Sequence, residues 1–341
     1  MKPAAPDRKN RSLARKVSRR VGRPQVGRRA APALFTPGRS PLRAPQAPAA
    51  VAAASARLGA ALSALQANKA RREAAAAAGR KLHAGAATLA LSVLADSALE
   101  HYRGSFQNRA MFAPLIASMI SLGAGTAGAL RAGVPRYVFE AAHGLAAATG
   151  LAGFCFHLYN IFKRPSGFSW LNLFYAAPIG APFALSLAGL FGQWGMRLSD
   201  PADQPARLLG QPASRAIAGA AAGGLLGTVA EAGLLHFRGA YHNPAMFLPV
   251  SVPPLSAALL ATAAAAPSQA AQNAARAALW ATALLGAAGV GFHIYGVARN
   301  MGGWRNWNQN VLNGPPIPAP PSFTGLAVIG LAALRLMDAE R

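Results

Sequence analysis

The sequence has little cysteine and little charge. Its 341 residues include a single cysteine, Cys155, which excludes a disulfide framework and any cysteine-based zinc or iron–sulfur site within the chain. Only 13% of the residues are charged, whereas an ordinary soluble domain has about 25%. Acidic residues are the scarcest, with 10 Asp+Glu against 34 Lys+Arg. A chain so poor in charge, and 53% hydrophobic, is typical of a polytopic membrane protein.

The positive charge is concentrated at the N-terminus, where nineteen of the 34 lysines and arginines precede residue 82. Residues 1–46 are rich in Arg, Pro, Ala and Ser and have few large apolar side chains. They bury too little surface to offset their ordering entropy, so we predict a disordered basic tail. Residues 47–81 are Ala-rich, which favours a helix in the cytoplasm or at the membrane surface. Anionic lipid headgroups, rather than nucleic acid, are the expected partner of the tail.

Eight hydrophobic segments follow the tail, each close to the roughly 20 residues that a transmembrane helix needs. They are residues 82–100, 111–131, 137–160, 178–196, 215–236, 246–266, 275–297 and 320–337. The predicted fold is therefore an all-α membrane protein with eight transmembrane helices in a lipid bilayer.

The eight segments form two similar sets of four. Over the fifteen positions 101–115 and 236–250, eight residues are identical, and residues 153–159 match residues 289–295. This internal similarity predicts a tandem duplication, with a first copy at 82–196, an inner linker at 197–214 and a second copy at 215–337. Because each copy has an even number of spans, both copies enter the membrane from the same side. The two four-helix repeats are therefore predicted to be parallel.

The distribution of positive charge predicts the orientation. With the N-terminus inside, the inner side receives the whole basic tail. The outer side receives only Arg103, Arg109, Lys163, Arg164, Arg238, Arg299 and Arg305. By the positive-inside rule both termini are cytoplasmic, and we expect an integral protein of the bacterial inner membrane.

This topology places five of the seven histidines at the outer membrane boundary, namely His101, His157, His236, His242 and His293. Imidazole is a common ligand of transition metals and haem, and helix bundles build such sites from several helices. The five histidines are therefore predicted ligands of a transition metal or haem. A histidine at a helix C-terminus can also serve only to bind the last carbonyl groups, and this alternative stays open.

The second copy is expected to hold the working site. His242 stands where the first copy has Gln107, which adds a ligand or base to His236 and His293. The first copy would then be degraded or structural. On the third segment, Glu140 and His143 form a Glu-x-x-His pattern without a counterpart in the second copy. We interpret it as an unpaired helix feature or a point of proton uptake.

Ionisable residues within a membrane span are functional candidates. Asp96 and Glu231 occupy corresponding places, five residues before His101 and His236. Arg103 lies seven residues after Asp96, and Arg238 lies seven residues after Glu231, each on the same helix face as the acid. Asp96–Arg103 and Glu231–Arg238 are therefore the predicted ion pairs. The residues predicted to surround the ligands or to form ion pairs are Asp96, Glu231, Arg103, Arg238, Asn108, Asn243, Tyr159 and Tyr295. Of these, the two asparagines are also expected to cap helices.

Three functions remain open on the sequence. The first is a metal- or haem-binding membrane protein that takes part in redox chemistry or electron transfer at its outer face. The second is an ion or solute transporter with Asp96 and Glu231 in a cleft between the repeats. The third is a non-catalytic membrane subunit that docks a soluble partner through its outer loops. The sequence names no reaction.

Overall fold

The computed structural model of the protein describes residues 47–175, 177–200 and 207–341. The contacts within the chain divide it into two units, Met1–Ala56 and Arg57–Arg341. Of the first unit, only residues 47–56 are described, and they are helical. The predicted disordered tail at 1–46 lies outside the described residues. All the other described residues belong to the second unit.

The described chain is almost entirely helical. Its α-helices are α1 (Ala47–Arg103), α2 (Ala113–Ala129), α3 (Arg136–Phe162), α4 (Trp170–Tyr175), α5 (Gly180–Ser199), α6 (Ala213–Arg238), α7 (Val252–Ala265), α8 (Gln269–Arg299), α9 (Trp307–Asn313) and α10 (Pro321–Ala339). Short 3-10 segments at Arg109–Phe112, Pro244–Val250 and Gly303–Asn306 precede α2, α7 and α9. The strands β1 (Arg207–Leu208) and β2 (Gln211–Pro212) pair antiparallel.

Over the described residues, seven helical segments are long and apolar enough to cross a membrane. They are Ala49–Arg103, Arg109–Ala129, Arg136–Phe162, Ala213–Arg238, Pro244–Ala265, Gln269–Arg299 and Pro321–Ala339. The all-α prediction is confirmed, and these helices indicate a lipid bilayer environment and an integral membrane protein. The predicted segment 178–196 coincides with α5, which is not among the seven. Its apolar run is interrupted by Gln193 and Arg197, so the eighth span stays a prediction.

The predicted Ala-rich helix at 47–81 and the first predicted span form one continuous helix, α1. Residues 57–73 of α1 are exposed, and burial begins at Ala74. The change follows the composition, because Lys69, Arg71, Arg72 and Glu73 give way to a run of alanine. Burial therefore starts several residues before the predicted span does.

The main core contains Leu82 of α1, Phe191 of α5, Ile217 of α6 and Leu326 of α10, and α7 and α8 add Leu260 and Leu279. Around them, α3 packs on α5 and α2, while α7 and α8 pack on each other and on α6 and α10 respectively. Burying each large apolar side chain contributes about 1.5–3 kcal/mol relative to water. Most of this core lies in the halves of these helices away from the predicted histidine layer.

Small residues allow the central helices to approach closely. A Cβ atom at Gly85 of α1 would lie 2.5 Å from Ile329 Cγ1 and 2.8 Å from the backbone oxygen of Gly325 on α10. Close approach through small residues is how membrane helices gain van der Waals contact without a hydrophobic driving force. Gly85 and Gly325 therefore bring α1 of the first copy against α10 of the second.

Candidate functional site

The histidines near the ends of α1 and α6 make the same contact. His101 Nδ1 lies 2.7 Å from the backbone oxygen of Met111, and His236 Nδ1 lies 2.9 Å from that of Met246. Both carbonyls belong to the 3-10 segments that follow. A carbonyl only accepts, so Nδ1 is the donor in each ring, and in the neutral imidazole Nε2 keeps a free lone pair.

The histidines near the ends of α3 and α8 are held in the same way. His157 Nδ1 donates to the backbone oxygen of Pro178, and His293 Nδ1 donates to that of Pro316 at 2.7 Å. These carbonyls lie in the loops before α5 and α10. All four half-buried rings thus have a fixed orientation, and in the neutral form Nε2 is the nitrogen without a proton. Metal-binding histidines commonly have this arrangement, and it equally anchors a helix end to a loop.

Within each copy the two histidines interact electrostatically, His157 with His101 and His293 with His236. Among the described residues, however, no group of three or more His, Cys, Asp or Glu side chains is placed to hold a metal ion. The five predicted ligands are therefore not gathered around one ion. His242 is exposed, and its Nδ1 lies 3.0 Å from the backbone oxygen of Gly239 in its own turn.

The carboxylate of Glu231, on α6, lies against Gly180, the first residue of α5. A Cβ atom at residue 180 would collide with Glu231 Oε2, so any other residue there would displace the carboxylate. The carboxylate therefore lies at the N-terminus of α5. The first N–H groups of a helix have no partner within the helix and carry partial positive charge, so this position suits an anion.

Asp96 lies at the corresponding place on α1 and interacts electrostatically with Glu231. Both side chains are half-buried. Glu100, one turn after Asp96, is close enough to repel both of them. The structure thus brings the two predicted acids, from corresponding helices of the two copies, into one electrostatic cluster.

The arginines predicted to pair with these acids contact other groups. Arg103 forms an ion pair with Glu100 at 3.0 Å, and it attracts Asp96 only at longer range. The guanidinium of Arg238 lies over the rings of Phe174 and Tyr175, 5.3 and 5.7 Å from their centroids. Within the part of the chain that the structure describes, neither Asp96 nor Glu231 has a salt-bridge partner.

Each of these arginines reaches the short helix, α4 or α9, of the other copy. Arg103, of the first copy, donates to the backbone oxygen of Leu312 on α9. Arg238, of the second copy, lies over aromatic rings of α4. The short helices α4 and α9 are therefore tied across the two copies, above the cluster of acids.

The remaining predicted residues have local roles. Asn108 and Asn243 accept from the backbone N–H groups two residues on, both at 2.9 Å, and so cap the 3-10 segments, as expected. Tyr159 and Tyr295 are exposed, and each ring lies under a cation, at 5.5 Å from Lys163 Nζ and 5.6 Å from the Arg299 guanidinium. Neither tyrosine has a hydrogen bond to a predicted ligand among the described residues.

Sequence reasoning missed two residues that shape the interior, Gly180 and His83. Gly180 carries no local signal, because its role depends on where α6 lies. His83 is 3% exposed and stands alone in an Ala-rich stretch, without a matching histidine in the second copy. No protein-family model, curated protein or solved structure matches this chain. Its function is therefore inferred from these side chains alone.

Proposed function

We propose that the protein moves a proton or a small cation across the membrane through a site between two parallel four-helix repeats. Asp96 and Glu231 are the binding groups. The observation that carries the proposal is that Glu231, half-buried on an apolar helix, lies against the N-terminus of α5 and, like Asp96 at the corresponding place on α1, has no salt-bridge partner among the described residues. The transported species occupies the place that an arginine or lysine takes in a structural ion pair.

The physical reason is the cost of charge in an apolar environment. A carboxylate inside a membrane span is expensive unless it is paired, protonated or solvated by a water-filled cavity. Two neighbouring carboxylates add mutual repulsion, so the pair is stabilised when it holds a proton or a cation between them. Glu231 gains part of the compensation from the N-terminus of α5, and a reversible ligand would supply the rest.

The four anchored histidines favour the same function. In the neutral form each presents an unprotonated Nε2 near the outer end of its helix, because its Nδ1 donates to a backbone carbonyl. Histidine is the side chain whose charge changes most readily near neutral pH. His101, His157, His236 and His293 would therefore pass protons between the outer surface and the acids.

The eight-span topology is part of this proposal. Helix α5 has 20 residues, enough to cross the bilayer. Its Leu185, Ala188 and Phe191 are fully buried in the protein. A helix enclosed by its neighbours needs less hydropathy than one that faces lipid. The matched histidine and asparagine contacts of the two copies support the repeat.

The test is ion flux into proteoliposomes. The protein is reconstituted with an entrapped dye sensitive to protons, sodium or potassium, and a gradient of the matching ion is imposed in turn. We expect flux of one of these ions, abolished in Asp96→Asn and in Glu231→Gln but retained in Glu73→Gln, whose carboxylate is exposed on α1. Absence of flux for all three ions, or full flux in both interior variants, would overturn the proposal.

A second candidate function is supported by the same Nδ1 contacts. Because His236 and His293 each donate through Nδ1 and leave Nε2 free in the neutral ring, they would hold a transition metal or haem for electron transfer at the outer face. The corresponding pair in the first copy is His101 and His157. Metal analysis and the visible spectrum of the purified protein test this directly. If protein purified from metal-replete cells contains neither metal nor haem, this function is excluded.

The setting completes the proposal. Both termini would face the cytoplasm of a bacterial inner membrane, with the basic tail on anionic lipid headgroups, as the charge distribution predicts.

A further inference from the structure

Two further histidines lie buried in the first copy, away from the Asp96–Glu231 cluster. His83 of α1 is 3% exposed, and His143 of α3 is fully buried. Their ring centroids are 5.6 Å apart. Phe139, one turn before His143, lies 5.4 Å from the His83 ring. Two imidazoles thus sit side by side among apolar residues, where histidine is seldom found.

Each ring has a nitrogen without a partner. His83 Nδ1 and His143 Nε2 are both buried and have no hydrogen bond within the described part of the chain. The other nitrogen of His143, Nδ1, lies 3.3 Å from Ser121 Oγ. Leaving a buried polar atom unpaired costs about 1–3 kcal/mol. Two such atoms on adjacent rings indicate that the pair binds something.

The surrounding helices are shaped for these rings. A Cβ atom at Gly128 of α2 would lie 2.5 Å from His83 Cγ, and one at Gly195 of α5 would lie 3.0 Å from His83 Cδ2. A Cβ atom at Gly192 of α5 would collide with His143 Nδ1. Glycine at these three positions leaves the space that the two imidazoles fill.

The second copy shows that the fold does not need these histidines. When the sequences of the two copies are aligned, Ala218 stands in place of His83 and Leu279 in place of His143. Likewise, Ala263 and Ala333 stand in place of Gly128 and Gly195. All four residues of the second copy are fully buried. Gly192 corresponds to Gly330, whose Cβ would meet Leu279 Cδ2 at 2.9 Å. The same helices therefore pack with alanine and leucine, so packing alone does not explain the histidines of the first copy.

We propose that His83 and His143 form a two-histidine site that binds a monovalent copper ion, Cu(I), inside the membrane bundle. Imidazole is a good copper ligand. A single ion bound to two imidazole nitrogens at about 2 Å from each places the ring centroids about 6 Å apart, close to the 5.6 Å observed. The site is separate from Asp96 and Glu231 and does not depend on their role.

The number of ligands and the charge select the ion. Zinc sites take four ligands, or three and a water, whereas no third His, Cys, Asp or Glu of the described residues joins this pair. A divalent ion also costs far more to desolvate than a monovalent one, since the Born energy rises with the square of the charge. Glu140, one turn before His143, is not a third ligand, because its side chain is exposed and forms an ion pair with Arg136 at 2.9 Å. A monovalent ion that accepts two-coordinate geometry fits these conditions.

Contact with Ser121 supports a ligand role for His143. When a serine hydroxyl accepts from Nδ1–H, the lone pair is left on Nε2, which is the nitrogen without a partner. Metal-bound histidines commonly donate their second N–H in this way, which holds the ring in orientation and raises its basicity. Ser121→Ala should therefore weaken Cu(I) binding by about tenfold or more without abolishing it.

The experiment titrates the full-length protein in detergent with Cu(I), held reduced and buffered by a chromophoric Cu(I) chelator. We expect uptake of one Cu(I) per chain, with nitrogen ligands in the X-ray absorption spectrum. The double variant His83→Ala with His143→Leu, which has the residues of the second copy, should lose this uptake. Gln272→Leu removes another buried polar side chain, in the second copy, and should retain it.

Two results would overturn the proposal. One is absence of Cu(I) uptake by the unmodified protein, which would mean that the pair is occupied by water only. The other is equal uptake by the double variant. If that variant does not fold, adding Gly128→Ala and Gly195→Ala restores the packing of the second copy and keeps the test valid. Circular dichroism and thermal melting confirm folding in each case.

Discussion

The carboxylate of Glu231 rests on Gly180, the first residue of α5, where a Cβ atom would displace it. The contact joins the two copies, because α5 belongs to the first and α6 to the second. It also fixes one of the two interacting acids at a helix N-terminus, where a negative charge is favoured. In the second copy the position that corresponds to Gly180 is Pro318 by sequence offset. Proline has no backbone N–H, so this position offers no equivalent hydrogen-bond donor to Asp96.

Gly180→Ala should therefore displace the carboxylate. We expect a loss of stability of about 1–3 kcal/mol, as for other overpacked interiors, together with reduced ion flux. Thermal melting in detergent and the proteoliposome assay measure the two effects. The matched control is Gly223→Ala on α6, where a Cβ atom would meet nothing within 4 Å. Equal effects of the two substitutions on stability and ion flux would show that the position of the Glu231 carboxylate against Gly180 does not matter for either.

The short helices α4 and α9 depend on buried asparagines. Asn172 Nδ2 donates to the backbone oxygens of Pro165 and Gly167 at 2.8 and 2.7 Å, and Asn310 Nδ2 donates to those of Met301 and Gly303 at 3.2 and 2.8 Å. Asn310→Ala leaves these acceptors unpaired, so it should cost about 1–3 kcal/mol of stability. Thermal melting checks this.

The control for that prediction is Asn308→Ala, because Asn308 is exposed on the same short helix. Surface substitutions usually change stability by less than about 0.5 kcal/mol. A melting temperature that falls equally in both variants would show that the hydrogen bonds of Asn310 carry no particular weight.

The histidine contacts make a prediction about metal or haem content. If the second copy holds that site, His236→Ala or His293→Ala should abolish the bound metal or haem, whereas His101→Ala should do less. Elemental analysis and the visible spectrum of each purified variant provide the measurement. Should all three variants keep the content of the unmodified protein, the histidines would be anchors of the helix ends and nothing more.

The topology can be checked with reporter fusions. An enzyme active only outside the cytoplasm should be active when fused near residue 170 or 308, and a fluorescent protein that folds only inside should fluoresce at the C-terminus. We expect this orientation because the excess of positive charge lies near the N-terminus, and the side of a membrane protein richer in positive charge faces the cytoplasm. If the fusions at 170 and 308 report opposite sides, the parallel repeat is excluded.

Local physics made much of the fold predictable. Apolar runs of roughly 20 residues predict membrane helices because the bilayer thickness sets their length, and the observed helices occupy the predicted segments. Asn108 and Asn243 cap their segments as expected, since an N-cap depends on neighbours two residues away. The similarity between residues 101–115 and 236–250 also anticipated the matched contacts of His101 and His236.

The tertiary structure alone decided which distant side chains meet. Arg103 reaches the backbone oxygen of Leu312, Glu231 lies on Gly180 and His83 lies beside His143. The physical reason is that membrane helices are apolar on every face, so their sequence carries little periodic signal of rotation about the helix axis. Rotation and crossing are set by where small residues let neighbouring helices approach. Only the packed bundle shows which polar groups share its interior.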